Sequence, residues 1–324
     1  MSALATLPHN LFCELDSMSV IHVHGEESIK YLQGQVTIDM AAVNTNNAVM
    51  GCHCDFKGKT WNIFYALAEK PTSDSGDITS VYLVNHKGAT EKSLAELNKY
   101  GVFAKVDILD VSAQWQVFGL AGESVIDALK AIIPLPSDDD LNVVQHDDVK
   151  VITLSHPIPR YLVLARGDIA DSLKESMSSF KEHPAVWEAL DILAGIPNIQ
   201  ATTQNEFVPQ MMNLHALNAI SFDKGCYMGQ EVVARTKYLG KNKRAAFILK
   251  SDDNTQLVAG DTLEVKVDEN WRRGGTVLRS AALNQTSFVL AVLPNDTKTG
   301  DILRSKDNPD QILTVLPLPY SLED

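Results

Sequence analysis

Asp223-Lys-Gly-Cys-Tyr-Met-Gly-Gln-Glu-Val-Val-Ala-Arg235 gathers two glycines, one cysteine and a set of opposite charges into thirteen residues, and no other segment of the chain is so unusual. Gly225 and Gly229 permit positive φ or close backbone approach on either side of Cys226 and Tyr227, so the thiol is expected on a tight, exposed loop. Gln230 to Arg235 then opens a helix or a strand. In a helix Glu231 and Arg235 stand at i,i+4 and can pair on its surface, a contact worth only a few tenths of a kcal/mol. A Gly-rich turn carrying an ordinary free cysteine is the plain alternative.

Around this stretch the chain has 324 residues, enough for two or three domains, with apolar content ordinary for globular cores. Its 28 basic against 41 acidic residues leave a formal charge of -13, which repels phosphate backbones and argues against broad non-specific contact with DNA or RNA. Lys237, Lys241, Lys243 and Arg244 nevertheless cluster just after the signature, as a solvated run or as a receiver for an anionic tail or partner. The cysteines at 13, 52, 54 and 226 show no disulfide-framework spacing, and the N-terminus lacks a basic region followed by an apolar core. A cytoplasmic protein is expected. No apolar run approaches the ~18 residues that span a bilayer.

Read in order, Val20 to Val23 forms a strand, and Gly25, Glu26 and Glu27 start a helix that stops at Gly34. The same arrangement returns at Gln116 to Leu120 and Gly122-Glu123, hinting at an internal repeat of GEESIKYL as GESVIDAL. Strands are expected at Trp61–Leu67, Val81–Val84 and Val102–Val111, with a polar loop from Lys70 to Thr79 and a helix capped by Thr90 and ended by Gly101. Val149–Leu154 and Tyr161–Ala165 read as strands, Ile169 to about Phe180 as a helix, and Pro184 opens another through Leu193. Trp187 and Asp191 lie off that last helix's apolar stripe, which suits a tryptophan anchoring domains. Beyond Ala245 only strand-like segments remain, separated by Gly, Asn and Asp turns, which predicts a small barrel. The fold class is α+β with mixed or antiparallel sheets. Its parts are 1–113, 114–240 and 241–324, with the signature in a crevice where barrel meets body.

Cys226 is the residue whose chemistry can matter directly, with Lys224 and the loop amides expected to favour its thiolate. His215, eleven residues away through irregular chain, specifies no geometry for a cysteine hydrolase. A lone cysteine cannot hold an iron-sulfur cluster, which takes about four. In a strand Cys52 and Cys54 face one way and His53 the other, so two small buried side chains are expected there rather than a metal set.

The stretch DKGCYMGQEVVAR is similar to the KGCYxGQE signature of the YgfZ family, relatives of the glycine-cleavage T-protein and of mitochondrial iron-sulfur assembly factors. Phe207-Val-Pro-Gln-Met-Met-Asn-Leu214 and Ile220-Ser-Phe222 resemble the family's approach to it, and Tyr31-Leu-Gln-Gly-Gln-Val-Thr-Ile-Asp39 resembles its N-terminal block, so the likeness covers essentially the whole chain. It implies a T-protein-like (GcvT-like) multi-domain fold and a folate-binding protein that supports iron-sulfur enzymes, including those that thiolate tRNA, with tRNA affected indirectly. Cys226 becomes the key thiol, with Lys224, Gly225, Tyr227, Gly229, Gln230, Glu231 and Arg235 shaping its loop. Trp187 becomes the folate-stacking residue. One departure puts Met18 where the family carries an aromatic residue, although a thioether can still cover a ring face. Two other functions compete: a tetrahydrofolate-dependent methyl or aminomethyl transferase, and a tRNA-binding adaptor.

Overall fold

The computed structural model describes residues 3–71, 77–240 and 242–322, so Lys241 and the centre of the expected polar loop lie outside the described residues. Strands β1 (Leu11–Glu14) and β2 (Met18–His24) lead to helix α1 (Ser28–Gln33), then to β3 (Val49–Cys54), β4 (Thr60–Ala68), β5 (Ser80–His86), α2 (Lys87–Gly101) and β6 (Asp107–Asp110). The chain continues through β7 (Gln116–Ala121), α3 (Glu123–Lys130), β8 (Val143–His146), β9 (Val149–Leu154), β10 (Arg160–Ala165), α4 (Gly167–Ser176) and α5 (Pro184–Leu193). After a long irregular segment come α6 (Gln230–Tyr238) and the strands β11 (Arg244–Ser251), β12 (Thr262–Val267), β13 (Asn270–Leu283), β14 (Thr286–Pro294), β15 (Ile302–Ser305) and β16 (Ile312–Leu316).

Two antiparallel five-stranded sheets have the same plan. The first runs β3-β4-β5-β2-β6 and the second β8-β9-β10-β7-β1, so each opening strand lies next to last in its sheet. Both opening strands turn into their helix at a glycine with positive φ, Gly25 at 132° and Gly122 at 98°. The repeat hinted at by the two Gly-Glu helix starts is therefore a duplication of the whole unit. The second unit is completed by β1, which pairs Leu11 with Ala121 through Glu14 with Phe118. The expected division at 113/114 falls between β6 and β7, but the N-terminal strand crosses it.

Continuous burial of β4, β9 and β10 follows from covering both faces of each sheet. Phe64, Ala66 and Ala68 of β4 face α1 and α2, while Ile63, Tyr65 and Leu67 face inward. In the second sheet Val151, Tyr161 and Val163 face α3 and α4, and Ile152, Leu162 and Leu164 face inward. The inward faces share one core, closed on its third side by Leu278, Phe288 and Leu290 of the barrel. The barrel is closed in the order β11-β14-β13-β12-β15-β16 and has its own apolar interior.

Three local expectations change. The strand expected at Val102–Val111 shortens to β6, because the chain turns through residues 102–106 after α2. Helix α2 begins before Thr90: His86 is its N-cap, its ring accepting from the Gly88 N–H, and the Thr90 hydroxyl instead accepts from Asn85 Nδ2 inside the protein. Helix α4 stops at Ser176, and a short 3-10 turn carries the chain to Phe180.

Candidate functional site

The signature loop is bolted to the first sheet unit from beneath while Cys226 faces solvent. The Lys224 side chain is buried and its ammonium donates to the carbonyls of Val36 at 2.9 Å and Ile38 at 2.6 Å, with the Tyr227 ring 5.1 Å away. Burial pushes the Lys224 ammonium down to about 8, opposed by Asp39. Those bonds give Lys224 an anchoring role in the loop. Backbone bonds from Ser221 to Thr37 and from Met228 to Gly34 complete the seam.

The two glycines differ. Gly229 has φ 82° as the N-cap of α6, and a Cβ there would stand 2.5 Å from the Asp55 carbonyl oxygen. Gly225 has no positive φ, and a Cβ there would meet nothing within 4 Å. Only Gly229 is required by geometry. Gln230 and Glu231 open α6 as a helix, and the i,i+4 pairing of Glu231 with Arg235 does not form among the described residues. Tyr227 is buried, and burial followed by the nearby Cys52 and Cys54 raises its hydroxyl. Those two thiols lie 3.8 Å apart on one face of β3, while His53 points the other way, to Ser93 at 3.0 Å and edge-on to Trp61.

A second group of side chains sits in the shared core. Trp187 of α5 is only 4% exposed, and Gly119 of β7 leaves room for it, since a Cβ there would stand 2.3 Å from Cε3 of the indole. The Arg160 guanidinium lies 4.4 Å from the indole centroid. Arg160 is fully buried; Nε donates to the His156 carbonyl, Nη1 lies 2.7 Å from Asp191, and Nη2 has no hydrogen-bond partner among the described residues. Asp191 is shared with Arg279 of β13, whose fork also grips Glu188 at 2.6 and 2.7 Å and whose Nη1 donates to the Ile196 carbonyl. Burial alone would raise the Asp191 carboxyl; Arg160 and Arg279 together hold it below the usual range. Met18 is half-buried against the same core, opposite His86 in the β2–β5 register.

Two cavities adjoin these groups. A central one of about 220 Å³ is lined by Tyr65 from the first sheet, Leu154 and His156 from the second, Ile196 beyond α5, and Tyr320 from the C-terminal tail. The Arg160 and Arg279 bonds to the carbonyls of His156 and Ile196 make the charged cluster its backing. Another, of about 450 Å³, lies between α6 and the start of the barrel. His215 is in its wall, but Cys226 is not among the residues lining either cavity. Sequence reasoning singled out Cys226 and Trp187 and noted Asp191 only as lying off the apolar stripe of its helix; it did not single out Arg160, Glu188 or Arg279. The available signal was an arginine beside an apolar run, in Arg160-Tyr-Leu-Val-Leu-Ala165 and in Thr276-Val-Leu-Arg279, since a charge against such a run needs a buried partner.

The family described as YgfZ, beta-barrel domain, matches residues 242–308. The tRNA-modifying protein YgfZ of Colwellia psychrerythraea is 37% identical over 99% of this chain and 97% of its own length. That of Photorhabdus laumondii is 37% identical over 99% and 95%. The glycine cleavage system aminomethyltransferase T from Bartonella henselae superposes with a TM-score of 0.70 at 16% identity, covering 98% of this chain and 88% of that one, and so shares its fold. With near-complete alignment to such relatives and the barrel at its C-terminus, the chain belongs to the YgfZ family of tRNA-modifying proteins.

Proposed function

We propose that this protein binds a folate and supports the assembly or repair of iron-sulfur enzymes, among them those that thiolate tRNA, with Cys226 as its working thiol. The observation that carries the reading is the mounting of that thiol: a solvent-facing cysteine on a loop whose flanking residues, Lys224, Tyr227 and Gly229, are all buried. Such rigidity is unneeded for an incidental cysteine and suits one offered repeatedly to a partner. The naming of the relatives as tRNA-modifying supports the tRNA side, and the likeness to an aminomethyltransferase supports a folate.

The residues of the core fit a flat ring with polar edges. Among the described residues Arg160 Nη2 is a buried donor without an acceptor, a state that costs about 1–3 kcal/mol or more for a charged group. The central cavity, at about 220 Å³, is smaller than the roughly 300 Å³ at the low end of drug-sized sites, so it suits the pterin ring with the tail outside. Trp187 would serve by holding Arg160 against that cavity, since its own ring is already covered. A bound tetrahydrofolate supplies a one-carbon carrier; the protein residues orient it and exclude water.

Two measurements test the reading. Tetrahydrofolate raises the thermal midpoint of the wild type, whereas Trp187→Phe and Arg160→Met, each compared with its own ligand-free midpoint, shift little. No wild-type shift removes folate binding, and equal shifts in all three proteins remove this site. In cells, Cys226→Ala lowers tRNA thio-modification and iron-sulfur enzyme activity while the protein stays folded; unchanged levels of both remove the thiol's role.

A further inference from the structure

The crevice between α6 and the barrel is chemically unlike the rest of this acidic protein. Its described lining includes Phe222, Lys237, Asn242, Arg244 and Asn295, and no aspartate or glutamate, although the chain carries 41 acidic residues against 28 basic ones. Among the described residues neither Lys237 nor Arg244 has an ion-pair partner; the Lys237 ammonium rests 4.0 Å from the centroid of the Phe222 ring. A cation left against an aromatic face in a concave wall, as Lys237 is, can exchange that contact for an anion without breaking a salt bridge.

Three of the lining residues have side-chain amides already fixed by one end, beside His215 and Thr236. Asn295 Nδ2 donates to the Asn242 carbonyl at 2.6 Å, Asn242 Nδ2 to the Gln210 carbonyl at 3.0 Å, and Gln210 Nε2 to the Val233 carbonyl at 2.6 Å. Such amides are pre-positioned, which lowers the ordering cost of binding. A volume of about 450 Å³ lies within the range of small-molecule sites, roughly 300–1,000 Å³.

We propose that this crevice binds a phosphorylated nucleoside, the phosphate between Lys237 and Arg244 and the base against Phe222, edged by Asn242 and Asn295. An aromatic face beside cations is the combination that receives a base and its phosphate together, whereas a bare anion would have no use for the ring. The net charge of -13 works against a long phosphate backbone, so the contact is confined to one or a few nucleotides. The inference does not depend on the folate reading, which concerns the central cavity.

The test is calorimetric titration of the full-length protein with adenosine monophosphate, inorganic phosphate and a short single-stranded RNA. Adenosine monophosphate binds the wild type, and Lys237→Gln and Arg244→Gln each weaken it by about tenfold, the loss of one charge-assisted contact. Phe222→Leu narrows the preference for the nucleotide over phosphate, while Arg160→Met, in the buried charged cluster of the shared core, leaves nucleotide binding unchanged. Tighter binding of the RNA, lost in the same variants, assigns the site to an RNA segment; equal binding assigns it to a free nucleotide. Absence of nucleotide binding, equal affinity for phosphate, or indifference to the two charge substitutions overturns the proposal.

Discussion

At the scale of single residues, the signature loop separates groups that hold from the group that is offered. The prediction is a contrast between two glycines. Gly229→Ala places a Cβ 2.5 Å from the Asp55 carbonyl oxygen at φ 82° and should cost about 1–3 kcal/mol in urea denaturation, whereas Gly225→Ala should lie within about 0.5 kcal/mol of wild type. Lys224→Met should cost about 1–3 kcal/mol as well, because it leaves the carbonyls of Val36 and Ile38 unmet in a buried setting. The exposure of Cys226 was legible from its glycine neighbours. The direction of Lys224 was not, since its acceptors lie 186 and 188 residues away in the chain.

Among elements, α5 and β13 form the joint between the sheets and the barrel. Arg279 makes it by reaching Glu188, Asp191 and the Ile196 carbonyl at once. Removing one side of such a buried network strands the other charges, so Arg279→Met should destabilise by about 3–5 kcal/mol. The barrel, with its own apolar interior, should then unfold in a separate step in calorimetry. Helix α5 was legible from its apolar stripe and the proline that opens it, and β4 and β9 as short apolar, β-branched or aromatic runs. Strands β1, β8 and β15 were not: each has four residues, too few to show a period. The start of α2 was also hidden, since His86 caps it in place of the usual serine, threonine or aspartate.

For the whole molecule, the duplicated sheets share one core, and acid should reach that assembly through one buried and one half-buried imidazole. His53 has no exposed surface, and burial pushes its ring down to about 3; burial and then His24 push His22 down to about 4. An unfolded histidine takes its proton near 6.5, so between that pH and the folded values the unfolded chain binds more protons. Stability is therefore full above about 6.5 and falls as pH drops, by up to about 1.4 kcal/mol per pH unit for His53. Denaturation midpoints measured from pH 7 to pH 4 check this, and His53→Asn should flatten the slope. The repeated unit was legible only as two Gly-Glu helix starts, because the duplication lives in strand order rather than in side-chain identity.

The placement of β1 has a consequence for synthesis. The strand is made long before its partner: Leu11 has none until Ala121 has been made, and β10 must follow before the other edge of β7 is covered. During that interval the nascent chain carries an apolar segment, Leu11-Phe-Cys13, with nowhere to go, a natural station for a chaperone on the growing polypeptide. Moving those few residues to the far end by circular permutation would abolish the wait, and the yield of native protein from translation without chaperones should rise accordingly.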